Sequence, residues 1–300
     1  MAGLRPGHEE NGTELEDPAA MRRRLRVELK RLRTAAGKTQ RDVAQALYWS
    51  PSKVIRIESG QVGITVTDLR ALAALYGLAD EEQLAALTEM AQGSKRQPFA
   101  EFRDVLSPDT IKYYGYEASA SLIRQVEPLL VPGLLQTEEY TRAILQSSSK
   151  ISSEEIDRIV ESRRNRQELL ERETRPEVFV LLGEAVFRQA VGGVEVMRSQ
   201  LEHLLALNDN GVASIRVLPF ELNAHDGMRG PYVHMEFPDV ADPDVVFLEH
   251  SRGTSSFSDD LALTADYQEK FFALEDIAAP AKAFRTYFDR AIDSFSGGST

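Results

Sequence analysis

The chain has 300 residues, 42% of them hydrophobic, and a formal net charge of −12 at pH 7. This length and composition fit one or two globular domains with packed cores. The chain contains no cysteine, which excludes disulfides, thiol nucleophiles and cysteine-ligated metal centres. It shows no secretory signal and no apolar run near the ~18 to 20 residues of a membrane span. We therefore expect a cytoplasmic protein that does not bind membranes.

Charge is unevenly distributed along the chain. Residues 1–20 are rich in Gly and Glu, which predicts a disordered tail. The stretch from Met21 to Gly60 holds eleven Lys or Arg against three Asp or Glu, a net charge of +8. Because the whole chain carries −12, all other residues together carry −20. This asymmetry indicates a basic module that binds a polyanion, attached to an acidic remainder.

The basic stretch predicts short helices. A leucine stripe at helical spacing supports a first helix over about Met21–Ala36, which Gly37 can end. Thr39, with Asp42 three residues later, forms a capping box for a second helix over about Gln40–Leu47. The leucine stripe consists of Leu25, Leu29 and Leu32.

A third helix follows over about Pro51–Glu58. Ser50 is its N-cap, and Pro51 occupies the first helical position, where the missing N–H costs nothing. Val54 and Ile57 face inward, one turn apart. The outward residues are Ser52, Lys53, Ile55 and Arg56. Two helices with a short turn and a cationic outer face on the second are typical of a helix-turn-helix.

Two more helices complete the predicted module, at about Val66–Tyr76 and Glu81–Ala91. Thr65 and Asp68 are expected to form a second capping box at the start of the fourth helix. The module is thus a five-helix, all-α domain over residues 21–92.

The spacing of these signals resembles the XRE, or phage-repressor-like, DNA-binding family. Caps, turn and apolar positions agree across three helices, so DNA binding is favoured over a merely solvated basic face. The matching positions are Thr39, Gln40, Ala44, Ser50, Val54, Ile57, Glu58 and Gly60, with Leu32 and Arg33 before them and Leu69 and Leu72 after them.

The resemblance implies a docking mode. Ser52 and Arg56 would face base edges in the major groove, where arginine to guanine is the commonest specific contact. Thr39 and Gln40 would contact phosphate, and Lys53 could contact either. The predicted DNA-binding residues are therefore Thr39, Gln40, Ser50, Ser52, Lys53 and Arg56.

The resemblance also implies a structural pair and shows one departure. In the family, the arginine that matches Arg33 pairs with the glutamate that matches Glu58. The turn before the third helix usually holds a small residue, whereas here it is Tyr48-Trp49. A left-handed Tyr48 would cost about 1 kcal/mol, so a slightly different turn is expected, with Trp49 packed inward.

Beyond residue 92 the pattern predicts a linker at 93–112, an α+β domain with a mainly antiparallel sheet at 113–293, and a frayed tail at 294–300. Residues 118–129 fit a strand or a helix. Expected strands are Glu177–Leu182, Ala213–Leu218, Tyr232–Phe237 and Val245–His250. Expected helices are a Thr137-capped segment, Ile156–Glu171, Val194–Leu207, Leu261–Asp276 and Ala281–Ile292. The serines near 251–258 are expected in a weakly ordered stretch.

This second domain resembles WhiJ-like actinobacterial regulators. The resemblance rests on VPGLLQTEEYTRAIL, SRRNRQELL, LLGEAVFRQAVGG, MRSQLEHLL, IRVLP and VVFLEH. In that family an XRE module precedes the domain, and a neighbouring gene often encodes a small BldB-like protein in a toxin–antitoxin-like pair. The resemblance implies a regulator but no specific chemistry.

Two polar clusters could carry chemistry. His234 and Glu236 share one face of a strand and, with His225-Asp226 and Glu249-His250, could hold a divalent metal. No H-x-x-x-H or H-E-x-x-H spacing occurs, so ordinary strand-edge residues are favoured.

An arginine cluster on the predicted 156–171 helix could bind an anionic ligand, but acids in the same helix favour a solvated face. It consists of Arg163, Arg164 and Arg166. No G-x-S-x-G elbow or phosphate loop occurs. We therefore predict no catalytic residues, cofactor or metal, and leave the ligand-binding residues unassigned.

The predicted function is sequence-specific transcription regulation by a homodimer on a pseudo-palindromic operator in double-stranded DNA. The second domain is expected to mediate dimerisation and to sense a small molecule or a small partner protein. The alternative is an antitoxin-like interaction module that binds a small BldB-like protein and autoregulates its operon. An enzyme joined to a DNA-binding module is disfavoured.

Overall fold

The computed structural model describes residues 18–60, 62–93, 99–147, 150–238, 242–249 and 255–296. The chain divides into two compact units, Met1–Arg96 and Gln97–Thr300. Most of the predicted tail at 1–20, part of the predicted linker, His250 and the last four residues lie outside the described residues.

The described part of the first unit is helical, and the prediction of a five-helix domain is confirmed. The helices are α1 (Pro18–Ala35), α2 (Gln40–Ala46), α3 (Pro51–Glu58), α4 (Val66–Tyr76) and α5 (Glu81–Gly93). The Thr39–Asp42 capping box starts α2, and Ser50 caps α3 with Pro51 in its first turn. A single apolar core includes Leu25, Leu29, Val43, Val54, Ile57, Leu69, Leu72 and Leu87.

The predicted capping box at α4 forms only by half. The Thr65 side chain accepts the Asp68 N–H at 3.0 Å, as expected. The Asp68 carboxylate instead accepts a hydrogen bond from Lys53 on α3 at 2.9 Å. A tertiary ion pair therefore replaces the local contact.

The second unit combines helices with a six-stranded mixed sheet in the order β3-β2-β1-β4-β5-β6. Three of its pairings are antiparallel and two are parallel, so the predicted α+β class with a mainly antiparallel sheet is confirmed. The strands are β1 (Leu122–Glu127), β2 (Glu177–Gly183), β3 (Ser214–Leu218), β4 (Tyr232–Glu236), β5 (Val245–Glu249) and β6 (Ser255–Ser258).

Helices cover both faces of this sheet. They are α6 (Pro108–Ser119), α7 (Glu138–Gln146), α8 (Ser153–Gln167), α9 (Val194–Asp209), α10 (Leu261–Ile277) and α11 (Phe284–Ser296). The larger core includes Ile123, Val180, Met197, Leu201, Val233 and Phe284. Helix α10 packs against β1, β3, β4 and β5, where Val126, Leu181, Tyr232 and Phe271 form a second core.

Three sequence-based expectations for this unit are wrong. Residues 108–112 belong to α6 rather than to a linker, because Ser107 caps a helix with Pro108 in its first turn. The serines at 255–258 form an edge strand, since pairing with β5 supplies backbone hydrogen bonds that the sequence signal does not show. Helix α11 reaches Ser296, into the predicted tail.

Candidate nucleic-acid interface

Helix α3 presents a solvent-facing surface from a well-fixed position. Val54 and Ile57 are 2% and 5% exposed and anchor the helix in the core. Its start is fixed because the Ser50 hydroxyl accepts the Lys53 N–H at 3.2 Å. The exposed residues of the helix are Pro51, Ser52, Ile55 and Arg56. Caps and apolar anchors thus determine which side of α3 faces solvent.

Arg56 and Ser52 are the predicted base-reading residues that remain accessible. Arg56 Nε donates to the Ser52 carbonyl at 3.2 Å, which holds the guanidinium along the exposed side of α3. Its two terminal nitrogens have no hydrogen-bond partner among the described residues. The planar fork is therefore available for the O6 and N7 of a guanine.

The other four predicted DNA-binding residues make hydrogen bonds within the domain. Thr39 Oγ1 donates to Asp42 Oδ2 at 2.7 Å, and these bonds lower the pKa of Asp42. Gln40 Nε2 donates to Glu58 Oε2 at 2.8 Å. Ser50 serves as the N-cap of α3. The structure thus brings all four to the start of α2 or α3, in roles that also stabilise the fold.

Lys53 is held on two sides. Its ammonium lies 2.9 Å from Asp68 Oδ1 and 3.8 Å from the centroid of the Trp49 ring. The neighbouring carboxylate neutralises much of the charge that Lys53 would offer to a phosphate. A role for Lys53 in DNA binding therefore requires that this pair opens or moves.

The Arg33–Glu58 pair joins three helices. Arg33 Nε donates to Glu58 Oε1 at 2.6 Å, and Arg33 Nη1 donates to the Lys38 carbonyl at 2.7 Å. Glu58 is 8% exposed and also accepts the hydrogen bond from Gln40. The ion pair therefore ties α1 to the end of α3 and to the start of α2.

Tyr48 adopts the left-handed conformation that the sequence analysis disfavoured. Its φ is +55°, and its side chain is 96% exposed in the turn between α2 and α3. The expectation of a different turn is wrong because Trp49 N–H bonds to the Ala44 carbonyl at 2.8 Å and the Trp49 ring packs against the core. Tyr48 lies in a turn that usually holds a small residue. That position could have indicated an exposed aromatic side chain beside α3.

Part of the charge on α1 is used within the fold. Arg31 on this helix pairs with Glu28 at 2.5 Å, and its hydrogen bond lowers the pKa of Glu28. Arg23 is only 3% exposed. The net charge of the basic stretch therefore overstates the cations that α1 could offer to a polyanion.

A buried polar cluster in the second unit was missed by the sequence analysis. Glu117 on α6 is fully buried and forms a two-pronged ion pair with Arg166 on α8, with Arg166 Nη2 2.6 Å from Glu117 Oε1. The guanidinium lies 5.1 and 4.5 Å from the ring centroids of Tyr113 and Tyr114. Although burial lowers it, the charge of Glu117 raises the pKa of Arg166 overall.

The prediction of a solvated arginine face is wrong for two of the three arginines. Arg166 is buried, and Arg163 is half-buried with Nη1 donating to Gln136, so burial lowers the pKa of Arg163. Arg164 is exposed, as expected. The reason is α6: its start at Ser107-Pro108 was not recognised, and Glu117 supplies the missing counter-charge.

Glu127, at the carboxyl end of β1, has a strongly shifted pKa. Burial raises the pKa of Glu127 to about 8, and the hydrogen bond from Gln125 Nε2 at 2.8 Å only partly offsets this. Burial is also the main reason that the pKa of Tyr113 is raised, and the charges of Glu117 and Glu127 add to it. A buried carboxyl that titrates near neutral pH can bind a polar ligand or exchange a proton with it.

The histidines and acids that the sequence suggested as a metal cluster are only partly brought together. His234 and Glu236 meet Asp244, and one ligand atom from each lies within 4.8 Å of the others. His225-Asp226 and Glu249 do not join them, and His250 lies outside the described residues. Asp244 was not anticipated, because it reaches the cluster only when β5, which it precedes, pairs with β4.

None of the helices in the described ranges combines the length and apolarity that crossing a bilayer requires. A comparison with curated proteins gave no match, and a comparison with solved structures gave none. A family model described as "Helix-turn-helix domain" matches residues 24–87. A second model, described as "Domain of unknown function (DUF5753)", matches residues 111–290. The second match covers more than half of the chain, which therefore belongs to the DUF5753 family, with a DNA-binding helix-turn-helix domain ahead of the family domain.

Proposed function

We propose that the protein is a sequence-specific transcription regulator that reads its operator with α3. The observation that carries the proposal is the exposed side of α3, where Arg56 and Ser52 lie outward while Val54 and Ile57 are buried. A guanidinium with free terminal nitrogens on a short, capped helix suits major-groove readout. The match to a helix-turn-helix domain supports the same function.

The proposed functional form is a homodimer on a pseudo-palindromic operator. Helix α3 has eight residues and is about 12 Å long, so it can read only one half-site. Two copies bound about 34 Å apart would read both halves from the same side of the duplex.

We further propose that the second domain receives the regulatory signal. The buried carboxyl of Glu127 at the end of β1, with its pKa raised to about 8, supports a site for a small polar effector in this domain. The effector would act by binding the DNA-competent and incompetent states with different affinities.

The alternative signal is a small partner protein, as in an antitoxin-like pair. It is supported by exposed apolar side chains at the end of the sheet where β1 and β3 terminate and β4 begins. These are Leu129, Leu130, Phe220 and Met228, which are 56%, 39%, 61% and 68% exposed. Exposed apolar groups of this kind are typical of protein-binding surfaces.

The test of DNA reading is selection of bound DNA from a random pool by the full chain at moderate salt. We expect one enriched sequence with two related half-sites, and we expect Arg56→Ala to abolish the enrichment at one position in each half. Binding without any enrichment would contradict the proposal, because contact with phosphate alone is independent of sequence and strongly weakened by salt.

The two signals can be separated on the selected operator. Added small polar metabolites should shift the midpoint of binding if the domain senses a small molecule. Recovery of a stoichiometric small protein with the wild-type chain, lost in a Phe220→Ser and Met228→Ser variant, would favour the partner protein. Sedimentation of the chain with and without operator measures the dimer.

A further inference from the structure

Strand register places one histidine and two carboxylates on the same face of the sheet. His234 and Glu236 are two residues apart on β4 and therefore project to the same side. Met235 pairs with Val245 on β5, so the preceding Asp244 lies opposite Glu236. One ligand atom from each of the three side chains lies within 4.8 Å of the others.

His234 is buried without hydrogen-bond partners among the described residues. Its side chain is fully buried, and neither ring nitrogen has a hydrogen-bond partner among the described residues. The nearest acidic oxygen, Asp244 Oδ2, lies 3.3 Å from Nε2 without forming a hydrogen bond. Burying an unsatisfied ring nitrogen is costly, and a cation bound between Nε2 and the carboxylates would satisfy that nitrogen.

Glu236 is oriented as metal-binding carboxylates usually are. Its Oε1 accepts hydrogen bonds from Arg124 Nη1 and from Gln268 Nε2, the latter at 2.8 Å. Its Oε2 has no hydrogen bond within the described residues and remains available. Outer partners of this kind fix a carboxylate so that its second oxygen can bind a metal.

The two carboxylates also give an ion access from solvent. The side chains of Glu236 and Asp244 are 29% and 33% exposed, whereas His234 lies at the closed end of the cluster. Two carboxylates and the Arg124 guanidinium give the cluster a formal charge of −1. The cluster therefore attracts a cation.

We propose that His234, Glu236 and Asp244 bind one divalent first-row transition-metal ion. One imidazole nitrogen with two carboxylate oxygens suits Zn²⁺, Mn²⁺ or Fe²⁺ better than Ca²⁺ or Mg²⁺, which favour oxygen ligands alone. Metal–ligand distances of about 2.1 Å allow ligand atoms up to ~4.2 Å apart, so a cluster whose ligand atoms lie within 4.8 Å of one another needs only a small contraction to bind an ion. Three protein ligands leave a coordination position open for water or a further ligand.

The test is metal binding by the full chain after removal of metals with a chelator. Titration with Zn²⁺ and with Mn²⁺, followed by calorimetry and by metal analysis after dialysis, should give one ion per chain. The Co²⁺ form should show the visible absorption of a site with nitrogen and oxygen ligands. Because the chain has no cysteine, thiolate bands cannot obscure that spectrum.

Variants assign the site. Asp244→Asn and His234→Gln should each lose the bound ion, and Asp244→Asn changes only a partly exposed side chain, so folding should be kept. His203→Gln is the matched control: it replaces a half-buried histidine on α9 and should keep the ion. Circular dichroism of each variant shows whether the fold is intact.

The result that overturns the proposal is the absence of binding at millimolar metal, or equal binding by wild type and Asp244→Asn. Either result would make His234 and Asp244 a simple polar pair. The proposal is independent of DNA reading: Arg56→Ala should lose operator selectivity and keep the metal, whereas Asp244→Asn should lose the metal without altering α3.

Discussion

The ammonium of Lys53 on α3 lies 2.9 Å from the carboxylate of Asp68 on α4. The same lysine stacks on Trp49, 3.8 Å from the ring centroid. Both contacts hold Lys53 in place, and the carboxylate offsets its positive charge at the proposed DNA-binding surface. The Lys53–Asp68 pair therefore ties α3 to α4 and weakens the attraction of this surface for phosphate.

Replacing Asp68 should strengthen DNA binding. Asp68→Asn removes the partner of Lys53 and leaves the Thr65 cap, because that cap uses the Asp68 backbone N–H. We expect a tighter complex and a salt dependence that is steeper by about one ion, since one more lysine reaches a phosphate. Fluorescence anisotropy at several salt concentrations measures both quantities. Glu89→Gln on α5, with the same charge change and no contact to Lys53, is the control and should leave the salt slope unaltered.

Replacing Arg56 and replacing Arg41 should change DNA binding in different ways. Arg56→Ala should cost about 1 to 3 kcal/mol on the preferred operator and relax selectivity at one base pair. Arg41→Ala removes an exposed arginine from α2 and should weaken all sequences alike. Competition binding with single-base operator variants separates the two. Uniform weakening by Arg56→Ala would show that Arg56 contacts only phosphate.

Removing Glu58 should destabilise the first domain strongly. Arg33 is mostly buried, with its side chain 13% exposed, so Glu58→Ala leaves its charge without a partner and should cost about 3 to 5 kcal/mol. Glu28→Ala breaks a more exposed pair with Arg31 and should cost less than about 1 kcal/mol. The chain has one tryptophan, Trp49, so its fluorescence in urea follows the first domain alone. Similar losses in the two variants would contradict a structural role for the Arg33–Glu58 pair.

The left-handed backbone at Tyr48 can be separated from its exposed ring. Tyr48→Gly should raise the free energy of unfolding by about 1 kcal/mol relative to Tyr48→Ala, because glycine adopts φ = +55° without strain. Both variants remove the ring. If the ring contacts DNA, its loss should weaken operator binding equally in the two variants. Urea unfolding of the two variants measures the backbone strain, and fluorescence anisotropy with operator DNA measures the contribution of the ring. Equal stability of the two variants would show that the turn relaxes when the ring is removed.

Glu127 should make the second domain less stable as pH rises. The pKa of Glu127 in the folded protein is about 8, above the ordinary value of 4.5, so between these values the folded state holds a proton that the unfolded state has released. Stability from this group is fully present below about pH 4.5 and is lost as pH rises through 8. We expect wild type to lose about 1 to 2 kcal/mol between pH 6 and pH 8, allowing for partial solvent exposure of Glu127.

Glu127→Gln isolates this effect. The glutamine cannot ionise, so the variant should show a flatter pH dependence in urea unfolding followed by circular dichroism. The Trp49 transition of the first domain serves as an internal control and should be unchanged. A variant as pH-sensitive as wild type would assign the titration to another group.

The helix-turn-helix could be predicted well because its signals are local. Thr39 and Ser50 cap helices through residues three positions away, and Val54 and Ile57 face inward by helical period alone. The same kind of signal at Ser107-Pro108 was overlooked, and without α6 the burial of Arg166 could not be foreseen. That error followed from one missed cap rather than from a weak pattern.

The caps, the apolar faces and the outward position of Ser52 and Arg56 follow from local sequence, because they depend on neighbours within one or two turns. Three contacts depend instead on the folded arrangement: Lys53 with Asp68, Glu117 with Arg166, and His234 with Asp244. Those partners are brought together by packing of helices and by strand register. Such contacts depend on how elements many residues apart are placed, which the spacing of residues along the chain does not encode.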